Sequence, residues 1–282
     1  MRTPQEIEVS GFGLFSARPS RVLFRCAQSQ SGIRFVHPAG SPSVAALIAF
    51  QRIASGPLGG RNTVIAIDAY AVATIEHLLS ALAGLNIWHI DVVTEAGELP
   101  ILDGSALGFV EALRESPVSA ATPLQLNRPF RVDDAATGAW IEARPARSIR
   151  YRYELRYPPG SGIADQHFEW DGDPRHYNEE IAPARTFSLE REAIALKSAG
   201  LFPHLTPRDM LVIAPDGRPI DNTYRFPDEP ARHKLLDLIG DLALLGRPLV
   251  AEVIAHRSSH ALTHELCRQI AGAMDPKLGV RS

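Results

Sequence analysis

The chain has 282 residues and a formal net charge of −3, from 29 Lys and Arg against 32 Asp and Glu. Apolar residues make up 45% and charged ones 22%, the ordinary balance of a soluble globular protein, and the near-neutral charge argues against a dedicated nucleic-acid binder with a basic face. Two cysteines, Cys26 and Cys267, exclude a disulfide scaffold and a four-cysteine zinc site, which leaves the ten histidines as candidates for metal or proton-transfer chemistry.

The first residues, Met1-Arg2-Thr3-Pro4-Gln5-Glu6, hold no apolar h-region, so no secretory signal is expected. The longest purely apolar run, Val44 to Phe50, falls far short of the ~18 residues of a membrane span. A cytoplasmic protein with both thiols reduced is the expectation, one still able to meet a membrane lipid from the aqueous side.

Ile7 and Val9, then Val22 and Phe24, alternate with polar residues and predict strands punctuated by Gly11, Gly13 and Pro19. Thr63 to Ile67 is a short β-branched run. A helix is expected from about Thr74 to Ala83, with Ile75, Leu78, Leu79 and Leu82 at helical spacing and Gly84 as its stop. A strand at 90–93, a turn at Asp103-Gly104 and a helix over about 106–114 close the first half. Residues Ser116 to Pro129 lack periodicity and hold three prolines, so they read as a linker. Beyond it the order partly repeats. Strands are expected near Trp140-Ile141 and over 151–157, and helices over about 190–198 and 230–245. A strand over 249–255 and a helix over about 261–273 complete the chain. The reading is two α+β halves of similar size, 1–119 and 120–282, each with helices on one face of a sheet.

The helix over 230–245 carries the most chemistry. His233, Asp237 and Asp241 stand at i, i+4 and i+8 and share a face, so His233 and Asp237 can converge on one metal ion. The pattern alone fits a solvated polar stripe better. Glu76-His77 matches neither helical metalloprotease pattern, because the glutamate precedes the histidine and Ala73 and Ser80 cannot coordinate. By itself it reads as a surface pair. His260 and His264, also at i and i+4, form a weak rival metal site or two exposed histidines at a helix start. Ala184-Arg185-Thr186-Phe187 shows no mechanism of its own.

Taken in order, however, Thr74-Ile75-Glu76-His77-Leu78, Leu102-Asp103-Gly104-Ser105-Ala106, Pro183-Ala184-Arg185-Thr186-Phe187, the run from Arg232 to Leu242, and Ser259-His260-Ala261-Leu262 closely resemble one family. It is the zinc-dependent UDP-3-O-acyl-N-acetylglucosamine deacetylase family of lipid A biosynthesis, and the resemblance spans nearly the whole chain. It implies a pair of similar βα sandwich halves with helices packed between the sheets and one Zn2+ at their junction. It further implies His77, His233 and Asp237 as zinc ligands, Glu76 as the base, and His260 as the acid for the departing amine. Asp241 would orient His260, Thr186 would stabilise the oxyanion, and Lys234 and Phe187 would contact the substrate. Ala193, Leu201, Met210 and Val212 would line the passage for the acyl chain. The implied partner is a small molecule, a UDP-linked acylated amino sugar, with no nucleic acid, no stable membrane insertion and a monomeric chain.

Four departures concern specificity. Phe15 stands where the family usually has His, Ser259 where it has Gly, His89 where it has Asn, and His204-Leu205 where it has a Gly pair. They keep two alternatives open: a diverged paralogue deacetylating another N-acetyl sugar, and a non-catalytic nucleotide-sugar binder. Retention of the base and the acid speaks against the binder.

Overall fold

The computed structural model describes residues 6–26, 31–38, 44–47, 62–67, 70–202 and 204–274. In the first half, β1 (Ile7–Phe12) pairs antiparallel with β2 (Pro19–Cys26), with Ile7 opposite Phe24 and Phe12 opposite Pro19. Strands β3 (Ile33–His37) and β4 (Val44–Leu47) follow, then a hairpin of β5 (Val64–Ile67) and β6 (Tyr70–Ala73). Helix α1 (Glu76–Gly84) leads into β7 (Ile90–Thr94), and α2 (Leu107–Leu113) comes after it. The sheet order is β1-β2-β7-β3-β4, with β7 antiparallel to β2 and parallel to β3. A parallel pair needs a long crossover, and the hairpin with α1 supplies it.

The second half repeats this plan. After the short β8 (Leu124–Gln125) come β9 (Phe130–Asp134), β10 (Ala139–Pro145), β11 (Arg150–Leu155) and β12 (Gln166–Trp170). A single helical turn α3 (Pro174–His176) leads to a small parallel pair of β13 (Phe187–Leu189) and β14 (Leu211–Ile213), with α4 (Glu190–Ser198) between them. Then follow α5 (Glu229–Leu242), β15 (Leu249–His256) and α6 (His260–Met274). The order β12-β11-β15-β10-β9 again places the last strand in the middle, parallel to one neighbour and antiparallel to the other. Each half therefore inserts a two-stranded element and then a crossover helix before its central strand.

Those two crossover helices, α1 and α5, pack on each other more extensively than any other pair of helices. Their apolar faces, among them Leu78, Leu82, Leu235, Leu238 and Ile239, join one buried core that also holds Phe24, Phe35, Tyr153 and Ile270. This is the expected α+β arrangement of two sheets with helices packed between them. Among the described residues, no helix is long and apolar enough to cross a membrane.

Close approach of the two helices depends on Gly240. A Cβ there would lie 2.0 Å from the carbonyl oxygen of Glu76. Gly240→Ala must push α5 off the start of α1, so a loss of at least about 1–3 kcal/mol is expected, read as a lower midpoint in denaturant unfolding. An unchanged midpoint would show that the helices separate freely here.

Three details differ from the sequence reading. Helix α1 begins at Glu76, because Thr74 has φ 58 and cannot start a right-handed helix. Its stop is Asn86, at φ 56, whereas Gly84 is small because the Tyr177 ring covers it; a Cβ would meet that ring at 2.2 Å. The segment 116–129 is packed structure: Trp88 N donates to Ser119 O at 3.0 Å, Leu124 pairs with Leu249, and Leu126 is buried. Part of the apolar run Val44 to Phe50 forms β4, and its remainder lies outside the described residues.

Candidate metal centre and proton-transfer groups

Helix packing decides what the polar stripe of α5 faces. His233, Asp237 and Asp241 are all buried, turned toward the first turn of α1, where Glu76 and His77 are buried as well. Glu76 and His77 are thus no surface pair, and the stripe is no solvated face. His77 Nε2 lies 3.6 Å and His233 Nε2 3.4 Å from the same Asp237 Oδ1, with the two rings edge to face.

The segment 184–187 wraps this cluster from outside. His233 Nδ1 donates to the Ala184 carbonyl at 3.1 Å, and Phe187 packs edge-on against the His233 ring. With Nδ1 protonated, the inward Nε2 carries a lone pair; burial pushes His233 down to about 3, so it stays neutral. Burial works against charge on Asp237, yet its carboxyl is held well below the usual range, with the ammonium of Lys234 2.8 Å from Oδ2. Lone pair and carboxylate then face each other as two acceptors. Only a cation between them satisfies both, so His77, His233 and Asp237 form a group that can hold a metal ion.

Arg185, silent in the sequence, anchors the wrapping segment. Its Nε donates to Glu229 Oε1 at 2.8 Å in a buried ion pair at the start of α5, and its backbone N–H donates to the same oxygen. Thr186 is half-buried, and its N–H donates to Gly104 O at 2.7 Å, which brings the Asp103-Gly104-Ser105 turn beside it. Gly104 has φ 84, and a Cβ on it would meet Thr186 Cγ2 at 3.2 Å and Met210 Cε at 3.6 Å. Lys234 Nζ stands 6.0 Å over the Phe187 ring. The structure therefore sets Phe187 and Lys234 against the cluster and brings Thr186 and Met210 together at the Gly104 turn. Val212 pairs with Ser188 in the small sheet, and Ala193 and Leu201 belong to or follow α4; all three are half-buried, outside the core.

A second cluster of titratable groups adjoins the first. His260 Nδ1 lies 2.7 Å from Asp241 Oδ2, and His264 Nε2 lies 3.5 Å from Asp241 Oδ1. Both histidines are buried, which corrects the expectation of exposed ones. Burial alone would lower His260, but the charge and hydrogen bond of Asp241 outweigh it and raise the imidazole to about 9. Asp241 itself resists burial through the facing His260 and His264 and is lowered. As a trio, Asp241, His260 and His264 also have metal-ligand geometry. Here, however, both carboxylate oxygens already accept hydrogen bonds, one from His260 and one from the Thr63 hydroxyl at 2.6 Å. A filled hydrogen-bond net has no need of a cation.

Glu76 sits between the two clusters. Its Oε2 accepts the Thr63 N–H at 3.0 Å, and burial raises its pKa above the ordinary carboxylate range. Thr63 was legible only as part of a β-branched run, since a backbone amide leaves no sequence signal.

The departures do separate work. Phe15 packs on Phe202, ring centroids 5.4 Å apart, while its N–H and that of Ser16 donate to Glu98. His89 Nδ1 accepts the Gly32 N–H at 2.9 Å and ties the start of β7 to the start of β3. Ser259 lies just before α6, where its hydroxyl accepts the Leu262 N–H at 3.5 Å. His204 is exposed and Leu205 half-buried.

A buried group of two imidazoles and a carboxylate, beside a carboxyl with a raised pKa and a charged imidazole, is the arrangement of a metal-dependent hydrolytic centre. The chain matches the family model of LpxC, UDP-3-O-acyl N-acetylglycosamine deacetylase, over residues 3–272, and it belongs to that family. It is similar to UDP-3-O-acyl-N-acetylglucosamine deacetylase of Chlamydia pneumoniae, 33% identical over 96% of each chain. The protein of that name from Nitratidesulfovibrio vulgaris is 36% identical over 94% of this chain and 85% of its own. The one from Solibacter usitatus is 33% identical over 96% of this chain and 90% of its own.

Proposed function

We propose that the chain hydrolyses the N-acetyl group of a UDP-linked 3-O-acyl-N-acetylglucosamine, releasing acetate, with one Zn2+ held by His77, His233 and Asp237. The observation that carries the reading is that buried Glu76 and His260 both adjoin the cluster: Glu76 precedes His77 in the chain, and His260 Nε2 stands 4.0 Å from Asp237 Oδ2. Two imidazoles with one carboxylate are a donor set of catalytic zinc with an open position. Held there, the ion would supply Lewis acidity toward the attacking water and the amide carbonyl.

The protein's own groups do the rest. Glu76, with its raised pKa, takes a proton from the attacking water. The Thr186 hydroxyl donates to the oxyanion where charge develops. His260 begins protonated and gives that proton to the departing amine, while Asp241 keeps the ring charged and oriented. Lys234 and Phe187 contact the substrate beside the metal, and Ala193, Leu201, Met210 and Val212 line the way for its acyl chain. A binder would have no need for both a base and an acid at one centre. The chain works as a cytoplasmic monomer in this reading.

The pH dependence follows from the two shifts. Activity rises as Glu76 loses its proton, above the ordinary carboxylate range, and falls as His260 loses its own. Removing the charge of Asp241 takes away what raises His260, so Asp241→Asn moves the alkaline limb to lower pH. Profiles of kcat/KM against pH check this, and an unmoved limb would refute the assignment of His260 as the acid. For the substrate side, Lys234→Ala should reduce turnover far more than metal content, measured as zinc per chain. Parallel losses of both would make Lys234 a support of the metal site alone.

A further inference from the structure

Thr63 holds a position that the proposed chemistry does not use. It is fully buried just before β5, and both its backbone and its side chain reach the proton-transfer groups. Its N–H donates to Glu76 Oε2 at 3.0 Å, and its hydroxyl lies 2.6 Å from Asp241 Oδ1 and 3.0 Å from His264 Nε2. Among the described residues, no other one hydrogen-bonds both Glu76 and Asp241.

The proton positions follow from the partners. A carboxylate only accepts, so the single hydroxyl proton points at Asp241 Oδ1. The hydroxyl lone pair then accepts a hydrogen bond from His264 Nε2–H. Asp241 Oδ2 is left to His260 Nδ1 at 2.7 Å, and the 3.4 Å contact from the Thr63 hydroxyl to that same nitrogen is too long to compete. His264 donates to Thr63 and Thr63 to Asp241, while His260 donates to the other Asp241 oxygen, so the net converges on the carboxylate.

We propose that Thr63 is a positioning residue: its hydroxyl, fed by His264, locks the Asp241 carboxylate in the rotamer that aims His260 at the reacting amide. Without the hydroxyl, Asp241 Oδ1 keeps only the 3.5 Å contact to His264. A buried carboxylate oxygen does not stay unpaired, so Asp241 turns toward His264 and draws away from His260. The backbone N–H on Glu76 is untouched by any side-chain change, so the base stays in place. The effect should fall on one proton transfer.

The inference rests on the deacetylase reading, and the test separates the two. Thr63→Val removes the hydroxyl but keeps shape and N–H, and Thr63→Ser restores the hydroxyl. With zinc-loaded protein and a UDP-3-O-acyl-N-acetylglucosamine, Thr63→Val should lower kcat on the order of 10–100-fold, with KM and zinc per chain unchanged. Thr63→Ser should recover most of it. A wild-type kcat in Thr63→Val would overturn the proposal. So would equal losses in both variants accompanied by loss of zinc, because a structural role would not follow the hydroxyl. If the wild-type protein turns over no such substrate, the function reading fails, and imidazole NMR still decides this point. The His260 Nδ1–H resonance should shift in Thr63→Val and return in Thr63→Ser; a resonance indifferent to the hydroxyl contradicts the proposal.

Discussion

Replacing Glu76 by Gln is expected to lower kcat by about 10²–10⁴-fold, the usual worth of a positioned general base, while zinc stays bound. The substitution preserves volume in a buried site and leaves an oxygen to accept the Thr63 N–H. What it removes is the capacity to take a proton. None of the close contacts among His77, His233 and Asp237 involves the Glu76 carboxyl, so metal content should not follow activity. Zinc analysis alongside single-turnover rates tests both halves of the statement. Loss of metal together with activity would make Glu76 a ligand and leave the centre without a base.

His233→Ala should have the opposite signature. It deletes the lone pair that faces Asp237 and strips the Ala184 carbonyl of its donor. Outer contacts to metal ligands are worth about 10–100-fold in affinity, so loss of a ligand should exceed that range. The orphaned buried carbonyl adds a stability cost of about 1–3 kcal/mol. His264→Ala provides the control, because His264 belongs to the neighbouring hydrogen-bonded cluster and should leave metal content near one per chain. Competition with a chelator ranks the variants. If His264→Ala lost the metal and His233→Ala kept it, the ion would belong to the cluster around Asp241.

Periodicity carried much of the fold. It located α1, α4, α5 and α6 within a few residues, because their apolar spacing and terminal residues agree. It missed what depends on distant packing. Gly84 reads as a helix stop, yet its size answers to Tyr177, nearly a hundred positions away, and no local pattern announces that. The prolines around 116–129 suggest a linker, while pairing of Leu124 with β15 depends on a strand still to come. The same limit applies to the site. Spacing put His233, Asp237 and Asp241 on one face of α5, but burial by α1 decides whether that face meets water or a metal. Resemblance, and not spacing, supplied His77 as their partner. The Thr63 N–H and the Ala184 carbonyl stayed hidden because a main-chain donor or acceptor has no residue signature.

Mass spectrometry of a UDP-3-O-acyl-N-acetylglucosamine series with varied acyl length, incubated with the protein as purified, after chelation, and after zinc is returned, tests the central claim. Acetate and the free amine product are expected with at least one acyl length, abolished by chelation and restored by zinc. An intact acetamide across the whole series with zinc bound, or turnover undiminished by chelation, would contradict it.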